Sequence, residues 1–140
     1  MLIGGLAAVA AAWSVALVLY DVTSRRLPDL LTLPAGAAAC VACAVWPAGL
    51  WGAVWPALYL VVGRGIGGGD IKLAVPLGVA VAVAAGPVWV LRAMGAASVV
   101  TIGAALAGSV RSVPHGPSML AAAWGSVMLS ALMGGTSPGL

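Results

Sequence analysis

Long apolar runs alternate with short polar segments along the whole chain. The first run extends from Leu2 to Tyr20 without a charged residue and is followed by Asp21. At about 1.5 Å per residue, such a run is long enough to cross a hydrocarbon layer of ~30 Å. It lacks the preceding basic residues of a cleavable secretion signal. The pattern therefore predicts a first membrane helix from Leu2 to Tyr20.

Prolines, glycines and charges divide the remainder of the chain. Pro28 disfavours helix at Leu27 and predicts a turn there. Residues 30–63 carry no charge and are too many for one crossing, but Trp46-Pro47-Ala48-Gly49 near their middle indicates a tight return. The pattern predicts five further helices, from about Leu31 to Val45, about Leu50 to Val62, Leu73 to Ala85, about Val88 to Val110 and Ser118 to Met133.

The composition is that of a chain that lies in a lipid bilayer. Hydrophobic residues make up 63% of the 140 residues and charged residues only 6%, whereas a soluble domain carries roughly 25% charged residues. So few charges cannot cover a surface that faces water. The sequence predicts an all-α integral membrane protein, in which residues 1–140 form a single domain with six transmembrane helices.

The cations indicate how these helices are oriented. Six crossings would place the loops after the first, third and fifth helices on one side of the membrane, and only Arg92 lies outside those loops. Because positively charged loops stay in the cytoplasm, both termini are expected outside. This topology also explains the net charge of +3 without a nucleic-acid partner. The cations of the three loops are Arg25, Arg26, Arg64, Lys72 and Arg111.

The few acidic residues all fall at the predicted cytoplasmic face. The chain has three aspartates and no glutamate. Asp70 follows Gly67-Gly68-Gly69 at the start of an apolar run, and an acid at the edge of a hydrocarbon layer is a candidate functional group because its burial is costly. Asp21 ends the first run. Asp29 is the alternative to Asp21 as the second functional acid. It follows Pro28, however, and is expected to cap the second helix.

Two aspartates at one face of a membrane indicate a specific chemistry. Carboxylates a few ångströms apart share a proton, so that one can activate water while the other polarises a carbonyl group. This is aspartyl proteolysis, which requires two aspartates, no metal and no nucleophilic side chain. The Cys40-x-x-Cys43 pair lies in an apolar run without a second pair or a nearby histidine, which predicts buried packing residues rather than metal ligands.

Three segments resemble motifs of the type IV prepilin peptidases, a family of G-x-G-D aspartyl proteases. Gly67-Gly68-Gly69-Asp70-Ile71-Lys72-Leu73 resembles the family's G-x-G-D segment. The family's first-aspartate segment is similar to Asp21-Val22-Thr23-Ser24-Arg25-Arg26-Leu27-Pro28-Asp29. Its later P-x-G-P loop resembles Val113-Pro114-His115-Gly116-Pro117. The three motifs follow the family's order, with hydrophobic helices between them.

The resemblance implies that Asp21 and Asp70 form the catalytic pair and that Gly67 and Gly69 shape the backbone beside the scissile bond. Lys72 would lower the pKa of Asp70 or contact the substrate. Its positive charge is also explained by the orientation of the protein in the membrane alone. The substrate would be a prepilin or pseudopilin, whose leader is cut at the cytoplasmic face without a cofactor.

The chain differs from the family pattern at several places, and one difference bears on which of the family's activities are expected. Members that also methylate the new N-terminus have a cytoplasmic insertion after the first helix, and only a short loop stands there in this chain, so methyltransferase activity is not expected. The chain is similar instead to the compact, peptidase-only members of tight-adherence (Flp-type) pilus systems. His115 stands where an aromatic residue is common, and Asp29 where asparagine is usual.

Two other functions fit the same sequence. A small ion-coupled transporter could use Asp70 as its ion-binding acid, although such acids usually lie near mid-membrane at broken helices. A non-catalytic assembly subunit of a pilus or secretion system could retain the same fold. Asp70 could also be an ordinary helix N-terminal acid, and Asp21 a loop acid paired with Arg25 or Arg26. The sequence does not define an oligomeric state.

Overall fold

The computed structural model describes residues 2–62, 66–108 and 114–134, and in these ranges every regular element is a helix. The all-α class and the six predicted α-helices are therefore confirmed for the described residues. Some residues named in the predictions lie outside the described ranges: Arg64, Arg111, Val113 and Val110, the predicted end of the fifth helix. The elements are α1 (Leu2–Ser24), α2 (Asp29–Val45), a 3-10 helix (Pro47–Ala53), α3 (Val54–Val62), α4 (Gly68–Ala85), α5 (Pro87–Ala107) and α6 (Gly116–Leu132).

Two helix ends differ from the prediction where they bear on the acidic residues. α1 continues past Tyr20 to Ser24, so Asp21 lies in its last turn rather than after it. α4 begins at Gly68 rather than at Leu73, so Asp70 lies in its first turn. The predicted ends followed the limits of the apolar runs, but the hydrogen-bonded backbone of a helix continues through polar residues at its termini.

The predicted third helix is divided in the structure. The prediction placed one helix from about Leu50 to Val62, whereas a 3-10 helix ends at Ala53 and α3 begins at Val54. The tight return expected at Trp46 is present, because the Gly49 backbone N–H donates to the Trp46 carbonyl oxygen at 2.9 Å.

The helix α4 lies at the centre of the fold. It packs against α2, the 3-10 helix, α3, α5 and α6. Gly78 of α4 contacts the backbone of Gly52 in the 3-10 helix so closely that a Cβ on either glycine would overlap the main chain of the other. Ala74 and Ala82 of α4 are almost fully buried. Small residues at such contacts let helices approach closely, as is typical of helix packing in membranes.

Large apolar side chains cover the outside of the molecule. Leu30, Leu106 and Leu132 are each 83% exposed. Exposing apolar surface to water costs about 25 cal/mol per Å², whereas a lipid environment removes that cost. Cys40 is exposed and Cys43 only partly buried, so the predicted burial of this pair is wrong. An exterior covered by large apolar side chains is typical of a membrane protein.

Within the part of the chain that the structure describes, three helices are long and apolar enough to cross a membrane. They are the segments Gly5–Ser24, Gly68–Ala85 and Pro87–Ala107. The other apolar helical segments, Asp29–Val45, Pro47–Val61 and Gly116–Leu132, are shorter.

Contacts between α1 and α6 define the end of the molecule where the acidic residues lie. Trp124 Nε1 of α6 donates to Ser14 Oγ of α1 at 3.0 Å. At the start of α6, the Gly116 N–H donates to Asp21 Oδ2 near the end of α1. The two helices are therefore antiparallel, and the last turn of α1 lies beside the first turn of α6.

Candidate active site

Asp21 is buried in the last turn of α1, with only 6% of its surface exposed. Its Oδ2 accepts a hydrogen bond from the backbone N–H of Gly116 at 2.9 Å. Gly116 is the first residue of α6, and the first-turn N–H groups of a helix lack partners within it and form the positive end of its dipole. The contact therefore stabilises a carboxylate in a place where burial would otherwise disfavour its charge.

Position 116 requires a glycine because of this contact. A Cβ there would lie 2.7 Å from Asp21 Oδ2 and 3.3 Å from Asp21 Cγ. The resemblance drew attention to the segment around Gly116 but did not indicate its partner. In the structure, the glycine lets the backbone of α6 reach the carboxylate of α1.

Asp70 approaches the same place from the first turn of α4. The helix begins after Gly67, whose backbone is extended, and the Asp70 N–H donates to the Gly67 carbonyl oxygen at 3.0 Å. The Asp70 side chain is partly buried and close enough to Asp21 for the two carboxyl groups to interact electrostatically. The structure thus brings together the two aspartates that the sequence singled out.

Both aspartates line one cavity of about 820 Å³. Its walls come from α1, the turn after it, the first residue of α2, α3, α4 with the two residues before it, α5 and the segment before α6. A volume in this range is typical of sites that bind a small molecule or a short segment of a larger one. The polar residues that line the cavity besides Asp21 and Asp70 include Arg25, Arg26, Asp29, Tyr59, Ser98, Thr101 and His115.

Gly67 and Gly69 form part of the cavity wall, and each has a close neighbour. A Cβ at Gly67 would lie 3.4 Å from Asp70 Oδ2, so the glycine leaves space beside this carboxyl group. A Cβ at Gly69 would lie 3.1 Å from the Cβ of Leu27, so this glycine lets α4 pack against the turn that follows α1.

Lys72 forms an ion pair with Asp29, with Nζ and Oδ1 2.6 Å apart. The two side chains are 42% and 59% exposed, and an exposed pair of this kind contributes about 0–1 kcal/mol. Asp29 is the first residue of α2, whereas Pro28 occupies the N-cap position and no side chain caps the helix. The predicted capping role of Asp29 is therefore wrong, and the side chain instead joins α2 to α4.

The sequence did not indicate the hydrogen bonds of His115 in the cavity or its two partners, Tyr59 and Thr101. Nε2 of this histidine lies 2.8 Å from Tyr59 Oη and its Nδ1 lies 2.6 Å from Thr101 Oγ1. Burial lowers the pKa of His115, and the nearby Asp21 carboxylate opposes this shift. A neutral imidazole donates from one nitrogen and accepts at the other, so it can satisfy one hydroxyl on each side. The signal in the sequence was a single histidine next to the glycine of the P-x-G-P segment.

The described cations lie mostly at the same end as the aspartates. Arg25 and Arg26 line the cavity, and Arg25 directly follows α1 with a φ of 53°. Arg92 lies toward the start of α5, away from Thr101, with its guanidinium carbon 4.6 Å from the centre of the Trp89 ring. Within the described ranges, no three His, Cys, Asp or Glu side chains form a group that could hold a metal ion. The carboxyl groups of Asp21 and Asp70 in the cavity wall can take part in acid–base chemistry.

A sequence model of the type IV leader peptidase family matches residues 8–102 of the chain. The matched region is more than half of the chain, and it includes Asp21 and Asp70 but ends before His115 and Gly116. Searches of curated proteins and of solved structures found no match.

Proposed function

The chain belongs to the type IV leader peptidase family, and we propose that it is a membrane aspartyl endopeptidase that removes the leader of prepilin or pseudopilin substrates. The observation that carries this proposal is that Asp21 and Asp70, from different helices, line one cavity and interact electrostatically. The family match supports peptidase activity, and both aspartates lie inside it.

In the proposed mechanism, Asp21 and Asp70 share one proton. The Gly116 N–H favours Asp21 as the ionised member. Asp21 takes a proton from water while the water oxygen attacks the carbonyl carbon of the scissile peptide bond. Asp70 donates its proton to the carbonyl oxygen, which gives a neutral gem-diol. When the gem-diol collapses, Asp21 gives its proton to the nitrogen and Asp70 takes a proton from a hydroxyl group. The C–N bond breaks, a carboxyl group and an amine are released, and the pair again holds one proton.

We further propose that six helices cross the cytoplasmic membrane and that the cavity opens at its cytoplasmic face. Arg25, Arg26 and Lys72 lie near the aspartates, and Arg92 lies toward the other end of α5. The positive-inside rule then assigns the aspartate end to the cytoplasm and both termini to the outside. The shorter helices would cross by local thinning of the bilayer, which costs fractions of a kcal/mol per Å.

The cavity fits an extended peptide that precedes a hydrophobic segment. Such a segment would lie in the bilayer against the apolar exterior, while the leader reaches the aspartates at the interface. Gly67 and Gly69 would let the substrate backbone approach the wall of the cavity. Lys72 would orient the protein in the membrane and fasten α4 to α2 through Asp29.

N-methylation is not part of the proposed activity. Only residues 25–28 separate α1 from α2, so the cytoplasmic insertion that accompanies methylation in the family has no place there. We propose that residues 1–140 form a single peptidase domain that needs no cofactor.

A cleavage assay with purified protein in liposomes tests the proposed function. The substrate is a synthetic peptide with a short basic leader that ends in glycine, followed by a hydrophobic segment. We expect one cut, after the leader, that a metal chelator does not affect, and mass spectrometry identifies it. A control peptide with a polar segment in place of the hydrophobic one should be cut much more slowly. A protein that inserts but leaves the peptide intact would contradict the peptidase assignment, as would proton flux into the same liposomes without cleavage.

A further inference from the structure

A hydrogen-bonded cluster of three side chains lies beside the aspartates, and the proposed proton transfers do not use it. His115 stands between Tyr59 of α3 and Thr101 of α5. The distances are 2.8 Å from His115 Nε2 to Tyr59 Oη and 2.6 Å from His115 Nδ1 to Thr101 Oγ1. The Tyr59 and His115 rings also pack together, with their centroids 5.8 Å apart. Three elements therefore meet at one imidazole: α3, α5 and the start of α6.

His115 is covalently joined to the residue that contacts Asp21. It occupies the N-cap position of α6, and the next residue, Gly116, donates its N–H to Asp21 Oδ2. The His115 side chain makes no capping hydrogen bond to its own helix. It bonds to α3 and α5 instead, so these bonds hold the first turn of α6 to the rest of the bundle.

We propose that His115 is a positioning residue for the catalytic pair: held by Tyr59 and Thr101, it fixes the Gly116 N–H against Asp21 Oδ2 and so holds the Asp21 carboxyl group in place beside Asp70. This inference rests on the proposed function, because it concerns how the aspartates are prepared for the reaction. The imidazole itself transfers no proton to or from the substrate.

A neutral imidazole is suited to this role. Its two nitrogens point in different, fixed directions, and one donates while the other accepts. Each neighbouring hydroxyl can therefore form a complementary hydrogen bond with the ring. Burial lowers the pKa of His115 although Asp21 opposes the shift, which favours the neutral ring near pH 7.

Two substitutions of His115 distinguish positioning from proton transfer. His115→Ala removes both hydrogen bonds, and we expect kcat to fall about 10- to 100-fold with KM within about threefold, as for a catalytic group displaced by about 1 Å. His115→Gln keeps a donor and an acceptor but cannot titrate, so it should recover most of kcat with the wild-type pH profile. A folded but inactive His115→Gln variant, or one whose pH profile has lost a limb, would overturn the proposal.

Deletion of single hydroxyl groups provides an independent test, including the case in which His115→Ala fails to fold. Tyr59→Phe and Thr101→Val each remove one hydrogen bond to the ring and should lower kcat about three- to tenfold. Combined with His115→Ala, neither should lower kcat further, because both act through the ring. Tyr20→Phe and Thr23→Val are matched controls on the exposed face of α1 and should keep the wild-type kcat. Losses that add fully to that of His115→Ala would contradict the proposal.

The same assay distinguishes failure of this inference from failure of the proposed function. If the wild-type protein does not cleave the leader peptide, or if Asp21→Asn and Asp70→Asn cleave it at the wild-type rate, the proposed function is wrong. If the wild-type protein cleaves, both asparagine variants are inactive, and folded His115→Ala keeps the wild-type kcat, then only the positioning role is wrong.

Discussion

At the scale of single residues, the contact between Gly116 and Asp21 is the most constrained feature of the site. A buried carboxylate needs hydrogen-bond donors, and Asp21 obtains one from the first N–H of another helix. The sequence indicated Asp21 and the segment around Gly116 separately. It could not show that they meet, because a contact between positions so far apart in the chain depends on how α1 and α6 pack.

Gly116→Ala should therefore damage the site more than an ordinary glycine substitution. The new Cβ would lie 2.7 Å from Asp21 Oδ2 and displace the carboxylate. We expect kcat/KM to fall at least about tenfold and the free energy of unfolding to fall by about 1–3 kcal/mol. Cleavage kinetics and thermal unfolding in detergent measure the two effects.

Gly125→Ala is the matched control for this prediction. Gly125 lies in the same helix with open space around its Cα, so alanine should stabilise the helix by about 0.5–1 kcal/mol and leave cleavage unchanged. Equal activity of the Gly116→Ala and wild-type proteins would show that the close contact with Asp21 is not needed.

At the scale of elements, hydropathy predicted the number of helices but not the ends that carry the aspartates. Apolar runs identify the lipid-facing parts of a helix, whereas Asp21 and Asp70 lie in terminal turns where the backbone remains helical beyond the apolar run. The division of the third predicted helix at Ala53 has a local signal in Pro56, which lacks the N–H that would bond to the Gly52 carbonyl oxygen. The approach of Gly52 to Gly78 is a tertiary contact and could not be predicted from the sequence.

The contact between the 3-10 helix and α4 predicts a large effect of Gly78→Ala on stability. A Cβ at this position would overlap the backbone of Gly52, which cannot move as a flexible side chain can. We expect the free energy of unfolding to fall by at least about 2 kcal/mol. Thermal unfolding in detergent measures it.

Gly95→Ala, in α5 with nothing near the new Cβ, is the control and should be neutral or stabilising. If Gly78→Ala were as stable as Gly95→Ala, the close packing at the centre of the fold would be wrong.

At the scale of the whole molecule, the aspartates and the described cations near them give the protein two chemically different ends. The end with α1's last turn and the first turns of α4 and α6 is polar, and α5 carries Arg92 toward the opposite end. Composition was sufficient to predict a membrane protein, because it depends on the total of apolar residues and not on their contacts. The cavity could not be predicted from the sequence, because its walls come from five separate parts of the chain that meet only in the folded protein.

Labelling of single cysteines tests the proposed orientation. In a protein without Cys40 and Cys43, Ser24→Cys is at the aspartate end and Met133→Cys follows the last described turn of α6. We expect a membrane-impermeant maleimide to label Met133→Cys in intact cells and Ser24→Cys only after permeabilisation, because the cationic end faces the cytoplasm. Labelling of both positions from the same side would contradict the six-crossing topology.

The most direct measurement of the central claim is the rate of leader cleavage by the three single aspartate variants in liposomes. Asn is nearly the same size as Asp but cannot share or transfer the proton. We expect Asp21→Asn and Asp70→Asn each to lose at least about 1,000-fold in kcat while they still insert and fold. Asp29 also lines the cavity, but it is exposed and paired with Lys72, so Asp29→Asn should stay within about threefold of the wild type. Cleavage at the wild-type rate by Asp21→Asn or by Asp70→Asn would contradict the shared-proton mechanism.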